Sequence, residues 1–111
     1  MTLPLRGVHL DFHTLPSVPA IGKDFDAEAF VRTLKKAHVD YINIFARCNL
    51  GFSYYPTKVG TMHPNLDFDL LGSMTQACLH EGIGTVAYFN AGLDHEHALL
   101  HREWCKVDRE G

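Results

Sequence analysis

Between Arg6 and His13 the chain alternates Val8, Leu10 and Phe12 with His9, Asp11 and His13. A period of two predicts a β-strand that sets its three polar side chains on one face. Two prolines and a glycine within Leu15–Lys23 break the pattern and predict a loop. Asp26 stands in N-cap position ahead of Ala27, Phe30, Val31, Leu34 and Ala37 at helical spacing, which predicts a helix to about His38. The apolar run Tyr41–Ala46 predicts a second, buried strand. Asp67 is placed to cap a second helix carrying the stripe Leu70, Leu71, Met74, Ala77 and Cys78, ending near Gly82. Thr85–Phe89 predicts a third strand, and His97–Trp104 a short final helix.

The resulting order is β-α-β-α-β. Strands alternating with helices imply an α/β fold with parallel pairing and right-handed crossovers. Ligand groups then collect at the carboxyl ends of the strands. His13, Arg47 with the loop after it, and Asn90 with the loop after it all fall at that end. A closed (β/α)8 TIM barrel needs about 250 residues, and the chain has 111. The expectation is therefore a small open α/β domain, or one partial domain over residues 1–111 that forms the N-terminal β-α-β-α-β portion of a longer (β/α)8 barrel, truncated at its C-terminus.

Composition narrows the partners. Hydrophobic residues make up 46% and charged residues 21%, enough apolar material for one core. The formal charge of −3 gives no reason to expect nucleic acid or an anionic membrane surface. No apolar run approaches the roughly 20 residues of a membrane span. The first residues lack the apolar stretch and small-residue cleavage site of a signal peptide. Cys48, Cys78 and Cys105 are odd in number, widely spaced and without a CxxC, so reduced thiols in a cytoplasmic protein are expected. No cofactor is implied, and a homo-oligomer is compatible with the pattern.

The chemistry concentrates in Arg47–Pro64, expected as a long loop without secondary structure. It carries Arg47, Asn49, Phe52, Tyr54, Tyr55, Lys58 and His63. Flat aromatic faces beside hydrogen-bonding groups suit a polyhydroxylated ligand such as a sugar. Candidate substrate-binding residues are Asp11, His13, Arg47, Asn49, Tyr54, Tyr55, His63 and Asn90. Each has a structural alternative. Asp11 and the histidines of the first strand are equally suited to a polar network that fixes packing. Arg47 is equally suited to a salt bridge that ties the loop to a neighbouring acid, and the tyrosines to packing beneath the loop. A metal site built on Asp11 and His13 uses suitable ligand types, although their spacing is His-x-Asp-x-His rather than His-x-His. His97 and His101 share a helix face, but with no third ligand they read as an exposed polar helix. Trp104 reads as a packing anchor. Cys48 has no evident base beside it in sequence, which argues against a nucleophile.

At Asp11-Phe12-His13, and again at Tyr54-Tyr55-Pro56-Thr57-Lys58-Val59-Gly60 with His63-Pro64, the chain resembles the hypothetical glycosyl hydrolase 6 family. More distantly it is similar to the α-L-fucosidases. The resemblance runs from Arg6 to Gly111. It implies a TIM-barrel glycoside hydrolase acting on a terminal sugar, fucose or galactose by analogy, with carbohydrate as its partner. After the second strand such proteins often carry Lys or Arg, then His or Gly, then an aromatic. Here Asn49 and Leu50 depart from that pattern. The resemblance also implies that the catalytic carboxylates follow later strands, beyond Gly111, so that no catalytic residue is assigned here. A metal-dependent hydrolase using Asp11 and His13, and a non-catalytic sugar-binding module, are the alternatives.

Overall fold

The computed structural model describes residues 3–110; Gly111, the last residue of the resemblance, lies outside them. Three strands form the parallel centre of the sheet: β1 (Gly7–His9), β2 (Tyr41–Arg47) and β5 (Gly84–Phe89). β2 lies in the middle, in parallel register with β1 (Val8 opposite Ile42) and with β5 (Ile44 opposite Ala87). Helix α1 (Ala27–Lys36) connects β1 to β2, and α2 (Leu70–His80) leads into β5. The architecture is the α/β arrangement expected, with parallel strands joined through helices.

The core lies between the sheet and the two helices. Ile42 and Ile44 of β2 meet Val31 and Leu34 of α1 and Leu70, Met74 and Cys78 of α2, all buried. Asp26 caps α1 as predicted, accepting from the Ala29 N–H at 2.9 Å. For α2 the cap is Asp69 rather than Asp67; its carboxylate accepts from the Gly72 N–H at 2.7 Å. The helix begins two residues late because Leu66 and Phe68 first pack into the core. At its far end Gly82 takes a φ of +72°, a left-handed conformation that glycine adopts without a Cβ penalty.

Three further expectations are corrected. β1 ends at His9 rather than His13, because β2 is its one partner among the described residues and the chain leaves the ladder after Leu10, whose N–H donates to Asn43 O at 3.1 Å. The segment after β2 is not free of secondary structure. Two short strands, β3 (Phe52–Ser53) and β4 (Thr61–Met62), fold it back: β3 runs antiparallel to the end of β2, and β4 parallel to β3. The last helix, α3, spans His95–Leu100, two residues earlier than its predicted start, since Asp94 caps it by accepting from the His97 N–H at 3.0 Å. A separate 3-10 turn covers Arg102–Trp104.

Candidate functional site

On the face of the sheet turned away from the helices lies an aromatic cluster. Phe45 of β2 stacks on Tyr88 of β5 at 4.3 Å between ring centroids, and His9, Phe12 and His13 approach Phe45 at 5.0 to 5.5 Å. Although β1 has ended, His13 therefore still sits over the sheet. Its Nε2 donates to Asp11 Oδ1 at 2.9 Å, and its Nδ1 accepts from the Asn49 N–H at 3.4 Å, near the limit of a hydrogen bond. Asp11, His13 and Asn49 thus come together at the carboxyl ends of β1 and β2. The Asn49 side-chain oxygen is buried, with no hydrogen-bond partner among the described residues.

A β-bulge prepares the neighbouring corner. The β2–β5 register slips between Phe45 and Arg47, placing Arg47 opposite Phe89 where strict alternation would place Ala46. The guanidinium lies over the Phe89 ring, 5.0 Å from its centroid. It also forms an ion pair with Asp94, donates to Asn90 O at 2.9 Å and lies 3.0 Å from His97 Nδ1. Burial lowers the Arg47 pKa below its ordinary value, and an arginine still remains cationic. Arg47 is thus 8% exposed and committed to protein partners. It locks the loop after β2 to the loop after β5, the salt-bridge alternative of its sequence reading.

Two backbone bonds close the same seam, from His95 N–H to Asn49 O at 3.3 Å and from Glu96 N–H to Leu50 O at 3.1 Å. Gly51 permits this approach: its φ is +97°, and a Cβ there would run into the Asp94 carboxylate and come within 3.0 Å of Glu96 Cβ. Asn90 braces the turn after β5, its Oδ1 accepting from Gly92 N–H at 3.1 Å and Leu93 N–H at 2.8 Å.

The remaining predicted residues divide. Tyr54 is fully buried; its hydroxyl accepts from the Thr14 N–H at 3.1 Å and donates to Thr14 Oγ1 at 3.2 Å. Burial, with the Cys48 thiol beside it, pushes its pKa up to about 12. His63 is 1% exposed. Its Nδ1 accepts from the Asn65 N–H at 3.2 Å, which fixes the proton on Nε2, and Nε2 donates to Leu15 O at 3.1 Å. These two expected ligand contacts are corrected: both rings are inside, where they hold the loop. Tyr55 is half-buried at the surface.

Three residues with site chemistry escaped the sequence reading. Asp94, in the loop after Asn90, anchors Arg47, and His97, expected on an exposed helix, turns inward to meet them. Asp94 directly before a helix, one strand-end away from an arginine, was the available signal. Phe89 passed as an ordinary strand residue, although it is 56% exposed. Trp104, expected as a packing anchor, is 67% exposed and stacks on His101 at 3.8 Å. Among the described residues no group of three or more His, Cys, Asp or Glu side chains is arranged to hold a metal ion.

The family model described as hypothetical glycosyl hydrolase 6 matches residues 26–111. The chain belongs to that family. Among solved structures it is similar to α-L-fucosidase isoenzyme 2 from Paenibacillus thiaminolyticus, at 36% identity and a TM-score of 0.93 over 97% of this chain and 16% of that one. It is also similar to the α-L-fucosidase from Lactobacillus casei in complex with α-L-fucose product, with 26% identity and a TM-score of 0.56 over 68% of this chain and 24% of that one. The Thermotoga maritima α-fucosidase, 23% identical with a TM-score of 0.62 over 68% of this chain and 18% of that one, shares the fold. No curated protein sequence matches. This member of the hypothetical glycosyl hydrolase 6 family thus spans about a sixth of the Paenibacillus enzyme, and its sheet matches the N-terminal part of a fucosidase TIM-barrel domain. No helix among the described residues is long and apolar enough to cross a membrane.

Proposed function

We propose that these residues are the N-terminal part of a (β/α)8 glycoside hydrolase that removes a terminal sugar, α-L-fucose in the first instance, and that they form one partial domain of that barrel. They hold the sugar. Asp11, His13 and Asn49 supply hydrogen bonds, Tyr55 supplies a partly exposed ring at the rim, and Arg47 and Asn90 keep the loops in place. In the reaction the glycosidic C–O bond breaks, water supplies the new hydroxyl on the sugar, and the leaving group gains the proton. Two carboxyl groups are needed for that, and we place both on later strands, outside these 111 residues. Three free cysteines fit a reducing, cytoplasmic setting.

The observation that carries this reading is the cluster of Asp11, His13 and Asn49. It sits at the strand ends of a sheet that matches α-L-fucosidases. The test uses the full-length protein and 4-nitrophenyl α-L-fucopyranoside. Hydrolysis is expected, with kcat/KM lowered on the order of 10- to 1000-fold in His13→Ala and in Asn49→Ala. Absence of glycosidase activity, or wild-type kinetics in both folded variants, would overturn it.

A further inference from the structure

Backbone bonds tie the start of α3 to the corner that holds Asn49. His95 N–H and Glu96 N–H donate to Asn49 O and Leu50 O, and the Asn49 N–H in turn reaches His13 Nδ1. In the same helix the partly buried His97 ring sets its Nδ1 3.0 Å from Arg47 Nη2 and 3.0 to 3.1 Å from the two Asp94 oxygens. An arginine can only donate, so the bond from Arg47 exists only while Nδ1 keeps its lone pair. A neutral ring with its proton on Nε2 provides that. Protonation removes it, because both ring nitrogens then become donors. Arg47 would face an N–H across the same 3.0 Å, and two cations would share the carboxylate of Asp94. None of these contacts depends on an open surface: strands following β5 bury the ring further and leave them in place.

We propose that His97 is a positioning residue whose protonation unfastens the clasp between the loop after β2 and the loop after β5, so that mild acid loosens the Asn49 corner. The clasp stands on its own geometry; its effect on the sugar rests on the reading above, through Asn49. The surroundings set the sign. Arg47 from β2 and His101, whose ring lies parallel at 6.4 Å, oppose a charge on His97, while Glu96 favours one and Asp94 faces Nδ1 directly. Lys106 lines the same hollow. Burial first, and then the Arg47 charge, hold the His97 pKa below its ordinary value. The folded protein therefore takes up this proton less readily than the unfolded chain. The stability that the neutral ring contributes is fully present above about pH 6.5 and is lost as the pH falls below it.

The full-length protein is compared at about pH 7.5 and about pH 5.5, on either side of an ordinary histidine titration. Hydrogen-exchange protection of the segment holding the His95 and Glu96 amides, corrected for the intrinsic pH dependence of exchange, should fall about tenfold in wild type at the lower pH. In His97→Asn, whose side-chain oxygen accepts from Arg47 at either pH, it should stay within about twofold. On acidification, KM for 4-nitrophenyl α-L-fucopyranoside should rise at least about threefold more in wild type than in His97→Asn. Protection that is flat in wild type, or that falls equally in both proteins, overturns the clasp. Equal changes in KM overturn its hold on the sugar corner. If no fucoside is hydrolysed, the glycosidase reading falls by itself and exchange alone decides the clasp. Should His97→Asn not fold, wild type decides: loss of protection confined to this segment sustains the clasp, and loss spread evenly through the core strands ends it.

Discussion

Tyr54 and Tyr55 are adjacent in sequence and identical in chemistry, yet they belong to different parts of the molecule. Tyr54 points under the loop, fully buried, with its hydroxyl paired to Thr14. Tyr55 stays at the surface, half-buried, with no hydrogen-bond partner for its hydroxyl among the described residues. The same split separates His63, spent on Leu15 and Asn65, from Asn49, whose side-chain oxygen has no partner among the described residues. One set makes a floor and the other a rim. Residue type marks a loop as rich in sugar-like chemistry, but a group can serve a ligand only if the fold has not already used it.

The sharpest way to break the floor is at Asp94. It pairs with Arg47, caps α3 and contacts His97, all from a position 17% exposed on its side chain. Asp94→Ala leaves Arg47 buried without its counter-ion and removes the cap. Losses of about 3 kcal/mol for the uncompensated charge and about 1 kcal/mol for the cap are expected. Chemical denaturation measures the total. A cost under about 1 kcal/mol would mean that the two loops are held together by their backbone bonds alone. Combining Asp94→Ala with Arg47→Met should cost less than the two single changes added, because the orphaned charge is gone.

The next largest effect is expected at Tyr54. Tyr54→Phe leaves the Thr14 N–H and hydroxyl without their partner, at a cost of about 1–2 kcal/mol near neutral pH. The pH dependence has a definite sign. Folding raises the phenol from 10.0 to about 12, so the folded state resists ionisation that the unfolded chain accepts. The corresponding stability is fully present below pH 10 and is lost between pH 10 and 12. Wild type should therefore lose roughly 2 kcal/mol more than Tyr54→Phe across that interval. An ultraviolet titration should show one phenolate forming near pH 12 that the variant lacks. A wild-type titration without that late step would return Tyr54 to the solvent-facing set.

How far the sequence could lead differs between these parts for physical reasons. Periodicity revealed both main helices, the three parallel strands and their shared carboxyl end, because burial of a stripe or a face imposes spacing on the chain itself. Asp26 was readable as a cap from local chemistry alone. Asp69 was not, because the start of α2 is set by Leu66 and Phe68 seeking the core, which is a tertiary effect. The bulge after Phe45 leaves no trace in the composition of β2, and with it goes the placement of Arg47 over Phe89. Asp94 and Arg47 stand 47 positions apart, and although each marks a strand-end loop, their pairing is set by the tertiary fold. Candidate residues were thus legible as a list of chemistries. Which of them the protein consumes internally is decided by long-range packing.

Tyr55 tests the rim with the smallest effect on stability. Its hydroxyl holds no hydrogen bond within the described residues, and its ring is only half-buried, so Tyr55→Phe should change unfolding free energy by no more than about 0.5 kcal/mol. That near-neutrality is the point of comparison with Tyr54→Phe, which removes the same oxygen one residue earlier. If Tyr55 meets the sugar through its hydroxyl, the variant should weaken fucoside binding several-fold while its thermal midpoint stays close to wild type. If it meets the sugar only through the ring, binding should persist in Tyr55→Phe and fall in Tyr55→Ala. A stability loss in Tyr55→Phe as large as that of Tyr54→Phe would erase the distinction between floor and rim at this position, since equal costs would mean that both hydroxyls are equally employed by the fold.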